Sequence, residues 1–426
     1  MAEIAYVARG TIPPSPPPPS EVGVVRWLRE NLFSSTGNTI LTLVAAWVVV
    51  EVFLALLPWL GGAVWNAGSL SECRAISPGG ACLAVINERF NQFLFGFYPA
   101  EGYWRPSLAF LGLLAAIAPV LFTALPRKML WFSGIYPLLA YWLIFGGSVW
   151  GPLMVLAAVV AAAALARAVA RLSGEVAGMI AGVLAAALMF LFAVDPLSGW
   201  LADAVPIGLA PVSSDQIGGF TLTLIIGVTG IAGSLPIGIV LALGRQSNLP
   251  LVKALCVGFI EFIRGVPLIT LLFVAHVLLN IFLPPGTEFD KLLRVLILVT
   301  LFASAYIAEV IRGGLAALPK GQYEAAAALG LDYWKSMRLV ILPQALKISI
   351  PGIVNTFIGL FKDTTLVSVI AMFDPLGIIT PIRADQNWNG IVWELYGFVA
   401  LFFFICCYGM SRYSMYLERR LKTDHR

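Results

Sequence analysis

The feature that most constrains this chain is its series of unbroken apolar runs, such as residues 39–60 and 220–243. Each is long enough for a helix to cross about 30 Å of hydrocarbon, which takes roughly 20 apolar residues. Within lipid every backbone N–H and C=O must find a partner inside the protein, which leaves helices or a closed barrel. The runs are continuously apolar instead of alternating, so the spanning elements are helices. Composition agrees: 59% of residues are hydrophobic and 12% charged, whereas soluble domains carry roughly a quarter charged residues. The expected fold class is all-α integral membrane.

About ten spans are expected, near residues 39–60, 107–125, 130–146, 149–166, 176–194, 219–243, 265–283, 292–314, 351–371 and 394–416. With the N-terminus in the cytoplasm, only Arg74, Arg89, Arg105, Lys291 and Arg383 fall on external loops. Most of the 27 Lys and Arg residues then lie on cytoplasmic segments, as the positive-inside bias requires. Both termini are expected to be cytoplasmic. Residues 1–38 read as a disordered tail, with Pro13, Pro14 and Pro16 to Pro19, and no cleavable signal peptide is expected. Residues 39–200 form an accessory transmembrane region with an external loop at 61–106. The Pro-, Gly- and Asp-containing segment 195–218 precedes a second set of five spans, 212–418, and residues 419–426 form a cytoplasmic tail.

Of the five cysteines, Cys256, Cys406 and Cys407 lie in or beside apolar runs, while Cys73 and Cys82 share the external loop. A short disulfide between them can form if that loop faces an oxidising compartment. Neither CxxC nor Cys/His metal spacing occurs, and no metal site is expected. The net charge of +4 comes from basic residues scattered at span ends, which read as topology signals and not as a nucleic-acid stripe.

Polar chemistry is concentrated in the second half. Glu261 with Arg264, and Glu309 with Arg312, each stand three residues apart on one helical face. They read either as charge latches that rearrange when a pore opens or as static pairs that fix packing. Asn355, Lys362, Asp363, Thr364, Thr365 and Ser368 share the ninth run. Counting from Pro351 at 1.5 Å per residue puts Lys362 about 16 Å in, near the bilayer midplane, the depth of many transport sites. Lys362 is placed to meet a carboxylate and Asp363 an amino group, in a dry pocket with uncharged hydrogen bonds from the others; alternatively both pair with charges on a partner. Residues 251–283 exceed one span, and Gly265 with Pro267 breaks them, so 251–264 is expected to lie at the interface.

Between the eighth and ninth spans lies a loop, 316–350, containing QYEAAAALGLDYWKSMRLVILP at 322–343. Glu324, Ala325 and Ala326 begin a run of good helix formers that Gly330 can end in a left-handed turn. A second short helix capped by Asp332 is expected, with Pro343 breaking or kinking the chain before the next span. Alanines that permit close approach, with Lys335 and Arg338 for polar contacts, suit insertion into a partner's groove. An amphipathic helix on anionic lipid is the competing reading.

Glu324 to Ala326, Gly330 six residues on, and Leu342-Pro343 preceded by Val340 where isoleucine is usual, resemble the EAA loop of bacterial ABC-importer permeases. Three flanking segments, EFIRGVP from Glu261, AYIAEVIRGG from Ala305 and KDTTL from Lys362, are similar to the polar amino-acid uptake permeases of the histidine/glutamine type, over about residues 212–418. The proline-rich tail, the following EVGVVRWLRENLFSS and five added spans look like one of the two permease subunits of general L-amino-acid importers. The resemblance implies a MetI-like five-helix core with a cytoplasmic coupling helix, in a bacterial inner membrane, moving L-amino acids by alternating access. Glu324, Ala325, Ala326, Gly330, Leu342 and Pro343 would couple it to a cytoplasmic ATPase dimer that binds ATP and Mg. It also implies a second homologous permease subunit and a periplasmic amino-acid-binding protein. No G-x-x-x-x-G-K-S/T phosphate loop occurs in this chain, so it is expected to be non-catalytic and driven by a separate motor. A carrier driven by an ion gradient would explain the buried charge equally well, though not the EAA loop. A membrane-embedded hydrolase finds no G-x-S-x-G or H-E-x-x-H.

Overall fold

A computed structural model describes residues 23–122, 124–282 and 289–421. The proline-rich stretch of the N-terminal tail, and residues 422–426 of the C-terminal one, lie outside the described residues. In chain order the helices are α1 (Gly23–Asn31), α2 (Thr36–Gly61), α3 (Leu70–Ile76), α4 (Ala84–Phe95), α5 (Trp104–Leu121), α6 (Leu130–Phe145), α7 (Trp150–Ser173), α8 (Glu175–Met189) and α9 (Asp195–Ala204). The second half continues with α10 (Gly219–Arg245), α11 (Pro250–Gly265), α12 (Leu268–Phe282), α13 (Lys291–Ala316), α14 (Lys320–Ala328), α15 (Tyr333–Ser336), α16 (Leu342–Asp363), α17 (Ile379–Ala384) and α18 (Trp393–Leu421). Among the described residues nine helical stretches are long and apolar enough to cross a membrane, ten if the bent pair α11–α12 counts as one broken span. Each expected run finds a helix.

The chain divides into two compact units, one ending at Ala84 and the other starting at Val85. In the first, Ser35 caps α2 by accepting the Asn38 N–H at 3.2 Å. A small head follows, in which Ser69 caps α3 and a disulfide joins Cys73 to Cys82. Backbone bonds from Val64 to Ala81 and from Ala84 to Val64 tie the same segment.

The second unit is built around α10, α13 and α16, whose facing residues form two buried clusters. Small residues let these helices approach, as they must where lipid supplies no hydrophobic drive for helix association. A Cβ at Gly238 of α10 would stand 2.6 Å from the Ile307 side chain of α13. The accessory hairpin α5–α6 is pinned by Arg105, whose buried guanidinium donates to Leu143 O (2.7 Å), Ala210 O (2.8 Å) and Ile144 O (3.4 Å). Leu143 and Ile144 are among the last carbonyls of α6, so the cation caps a helix end where positive charge is favoured. A two-residue ladder, β1 (Gly147–Ser148) with β2 (Gly208–Leu209), closes the same end.

Two spans are longer than the apolar pattern indicated, for one reason. The fifth run was expected to end at 194, before the segment that holds Pro196, and Pro343 to break or kink the chain; instead a π turn, Phe190–Val194 in one case and Met337–Ile341 in the other, ends two residues before each proline and the helix continues. Proline cannot donate to the carbonyl four residues back and its ring crowds that turn. One wider turn relieves both problems without a break. The fifth span therefore runs to Ala204 and the ninth covers Tyr333–Ile370. By contrast, Val266 and Pro267 do break the chain: α11 and α12 meet at 101°.

Candidate functional site

The loop at 316–350 is a helix-turn-helix. α14 ends in a left-handed Gly330 (φ +71°), with Leu331 N–H donating to Ala326 O and Gly330 N–H to Ala327 O. This paired bonding is the Schellman arrangement that satisfies a helix's last carbonyls. Asp332 then caps α15, accepting the Lys335 N–H at 2.8 Å. These hydrogen bonds, with the Lys335 ammonium 3.1 Å away, hold the Asp332 carboxyl below its usual range.

Ala326 is buried, and Tyr323 packs against the cluster of Ile307, Ile311, Met337 and Ile341, so α14 has one fixed face. Gln344 clasps it by donating to Gln322 Oε1 at 3.0 Å. Its other face is bare: Glu324, Ala325, Ala327 and Ala328 are exposed. They are bordered by Leu329 (78% exposed), Trp334 (66%), Leu339 (63%) and Tyr333 (50%). The face is therefore an exposed apolar patch of bare alanines ringed by apolar and aromatic residues. Sequence reasoning named the alanines and missed that apolar ring. α15 is not a free second helix, because the π turn welds it to α16, so Leu342 and Pro343 sit inside one rigid rod that ends at Asp363.

The charge pairs are wired differently from their spacing. Glu309 takes Arg312 through Nε (2.9 Å) and Nη2 (2.5 Å), as expected. Glu261 does not pair with Arg264. Its carboxylate accepts from Arg245 Nη1 at 2.9 Å, and Arg264 reaches Glu309 at 3.8 Å while lying over the Tyr306 ring. Arg245 also donates to Glu309 at 3.3 Å. The result is one network of three guanidiniums and two carboxylates joining α10, α11 and α13 near the end that carries α14. Arg245, at the last turn of α10, was the missed member. The short connection 246–249 folds α11 back against α10 and α13, which brings Glu261 to Arg245.

The six path residues do not gather into one dry pocket. Thr364 is buried, and its hydroxyl donates to Phe361 O (2.8 Å). The hydroxyls of Thr365 and Ser368 likewise donate to Lys362 O and Thr365 O (both 2.9 Å). Their lone pairs remain available while their protons are committed. Asp363 is partly buried, and Asn355 and Lys362 are exposed. With Ile348 they stand seven residues apart along one exposed stripe of α16. Depth also differs. Gly230 of α10 faces both Leu360 and Val299, which places this level beyond the midpoints of α10 and α13, away from α14. Lys362 therefore lies roughly 5–10 Å past the midplane, because the rod begins well before Pro351. Beyond it the chain tightens into a 3₁₀ turn, Thr364–Ile370, and reverses at Ala371, the one described non-glycine residue with positive φ (57°). Next to that turn, Ser214, Asp215, Lys291, Met372 and Phe373 help line a cavity of about 270 Å³. In the following loop Asp374 is fully buried and accepts the N–H groups of Leu376 and Gly377; burial pushes its carboxyl up to about 6.

A membrane core of close-packed helices, with a helix-turn-helix at one end that runs on into a span, matches the arrangement the sequence resemblance implied for an ABC-importer permease. Comparison agrees: residues 234–423 match the family described as "Binding-protein-dependent transport system inner membrane component". Over its whole length the chain is 58% identical to the glutamate/glutamine/aspartate/asparagine transport system permease protein BztC of Rhodobacter capsulatus, all of which is covered. It is 43% identical to the inner membrane amino-acid ABC transporter permease protein YhdY of Escherichia coli, over 96% of each chain. Among solved structures, that of an amino acid ABC transporter with histidines aligns at 31% identity and a TM-score of 0.42, covering 46% of this chain and 90% of that one. The chain belongs to the amino-acid ABC-importer permeases.

Proposed function

We propose that this chain is one of two permease subunits of an importer for L-amino acids, set in a bacterial inner membrane with both termini and α14 in the cytoplasm. It pairs with a homologous permease, takes substrate from a periplasmic binding protein and is driven by a cytoplasmic ATPase dimer that holds ATP and Mg. Acidic amino acids and their amides are the favoured cargo, on the likeness to BztC. The chain itself is non-catalytic.

The observation that carries this reading is the continuous rod from Tyr333 to Asp363. The ATPase grips Glu324, Ala325 and Ala326 on α14, Gly330 sets the angle of the grip, and Leu342 and Pro343 lie in the rod that transmits the movement. At the far end Lys362 and Asp363 move with it, so a domain closure at the motor rearranges the polar stretch from Asn355 to Ser368. The network of Glu261, Arg264, Glu309, Arg312 and Arg245 latches the motor end between strokes. Lys362 offers its ammonium to a substrate carboxylate on a surface completed by the partner permease, and the Cys73–Cys82 disulfide rigidifies the external head.

The test is uptake by proteoliposomes holding the purified complex with its binding protein. Labelled glutamate or glutamine accumulates only with internal ATP and magnesium, and Lys362→Ala raises the half-saturating concentration of acidic substrates more than that of neutral ones. Uptake driven by a proton or sodium gradient with the ATPase absent would refute the reading.

A further inference from the structure

α2 is the most apolar of the described spans, with a mean hydropathy of 2.6 over its best window. It carries one charged residue, Glu51. In a helix running from Thr36 to Gly61, Glu51 stands about 4 Å from the midpoint, out of reach of either interface. None of the residues in the span's most apolar window is buried. Glu51 is exposed and makes no hydrogen bond or ion pair among the described residues.

Two other charges in its spans are satisfied within the chain, Arg105 on three carbonyls and Glu309 on its arginines. A bare carboxylate at mid-bilayer depth is costly, and an ionisable residue there marks an interaction by default. Its helical neighbours give the contact a shape. Ile40, Val44, Trp47, Glu51, Leu54 and Pro58 follow one another at alternating steps of four and three residues, one stripe of the kind that packs left-handed helix pairs. Trp47 and Leu54, one turn to either side of Glu51, are exposed.

We infer that this face of α2 is a helix–helix interface within the bilayer. Its occupant is a transmembrane helix of another permease subunit, presenting a lysine, arginine or histidine at the depth of Glu51. Charge decides the occupant: a second copy of this chain on the same face would set two carboxylates against each other, whereas a basic helix neutralises the one present. A single buried polar residue in an apolar seam also fixes register and partner choice. α2 thus selects which permease this chain assembles with, a task separate from transport. The inference rests on the paired-permease reading above.

The experiment uses the full transporter, purified through a tag on this chain. A photo-crosslinking residue at Trp47 or Leu54 should capture the second permease. Glu51→Leu should lower recovery of that subunit by roughly tenfold, Glu51→Gln by less because it keeps a hydrogen bond, and Glu51→Lys by more. Exchanging charges with the basic residue found at the crosslink should restore recovery in the Glu51→Lys chain. Formation of the Cys73–Cys82 disulfide reports correct insertion of each variant. Crosslinks to lipid, to a second copy or within the chain, or recovery unchanged by Glu51→Lys, overturn the inference. A wild-type preparation containing one permease species alone would instead overturn the paired-permease reading, so the two failures are distinct.

Discussion

Gly330 isolates the effect of backbone angle at the proposed coupling surface. Its φ of +71° lies where an L-residue is strained, yet a Cβ built there meets nothing within 4 Å. Substitution therefore adds no clash, and its cost is conformational alone. Left-handed geometry costs an alanine roughly 1–2 kcal/mol, a β-branched residue more, and an asparagine less because it tolerates this region. Unwinding the turn relieves the strain in the free permease, and docking must restore it. At 1.4 kcal/mol per decade, Gly330→Ala then weakens ATPase binding about five- to thirtyfold and Gly330→Val further, while Gly330→Asn stays close to wild type. ATPase titrated onto permease in nanodiscs gives the three affinities, with membrane insertion as the control. Equal losses for Asn and Val would refute the reasoning, since they would point to side-chain bulk or lost flexibility instead of backbone angle.

The remaining predictions concern charge. Glu309→Gln keeps the shape of the network's hub but removes the charge from its two close hydrogen bonds, worth about 2 kcal/mol at these partly exposed positions; if the network is a latch, ATPase activity without substrate rises several-fold, and if it is static packing, only the melting temperature falls. Arg105→Met strands buried carbonyls at Leu143, Ile144 and Ala210, and should destabilise the detergent-solubilised protein by about 3 kcal/mol in thermal unfolding while ATPase binding is unchanged. Asp374 has its folded value raised from 3.8 to about 6, so the native state holds an extra proton between about pH 4 and 6. Its contribution to stability is full below pH 4 and lost as pH rises through 6, and Asp374→Asn should flatten that part of the melting-temperature profile.

The spans were legible because lipid leaves a chain one economical answer, and the residue counts from Thr39 and Phe220 state it directly. The break at Gly265-Val266-Pro267 was legible too, since a proline directly after a glycine-containing turn has no neighbouring helix to lean on. Pro196 and Pro343 misled because a π turn admits a proline without a break, and local sequence does not announce where tertiary packing will hold such a turn together. Pairing Glu261 with Arg264 failed for a different reason. Three-residue spacing brings side chains near each other, but α11 folds back and offers Glu261 to Arg245 on another helix. The depth of Lys362 followed from the same missed continuity, because the count began at Pro351 and the rod begins at Tyr333. Glu51 was visible as the one charge in its run and was passed over because the first half looked uniformly apolar.

The central claim, that α14 is the grip for a motor and the rod behind it the transmission, is tested most directly by a single cysteine at Ala328, an exposed position on α14. In the reconstituted complex a short thiol crosslinker should join it to the ATPase, and locking that bond should stop uptake. Glu324→Lys should abolish both the crosslink and uptake while leaving the protein inserted. No crosslink to the ATPase, or undiminished uptake in Glu324→Lys, would contradict the account.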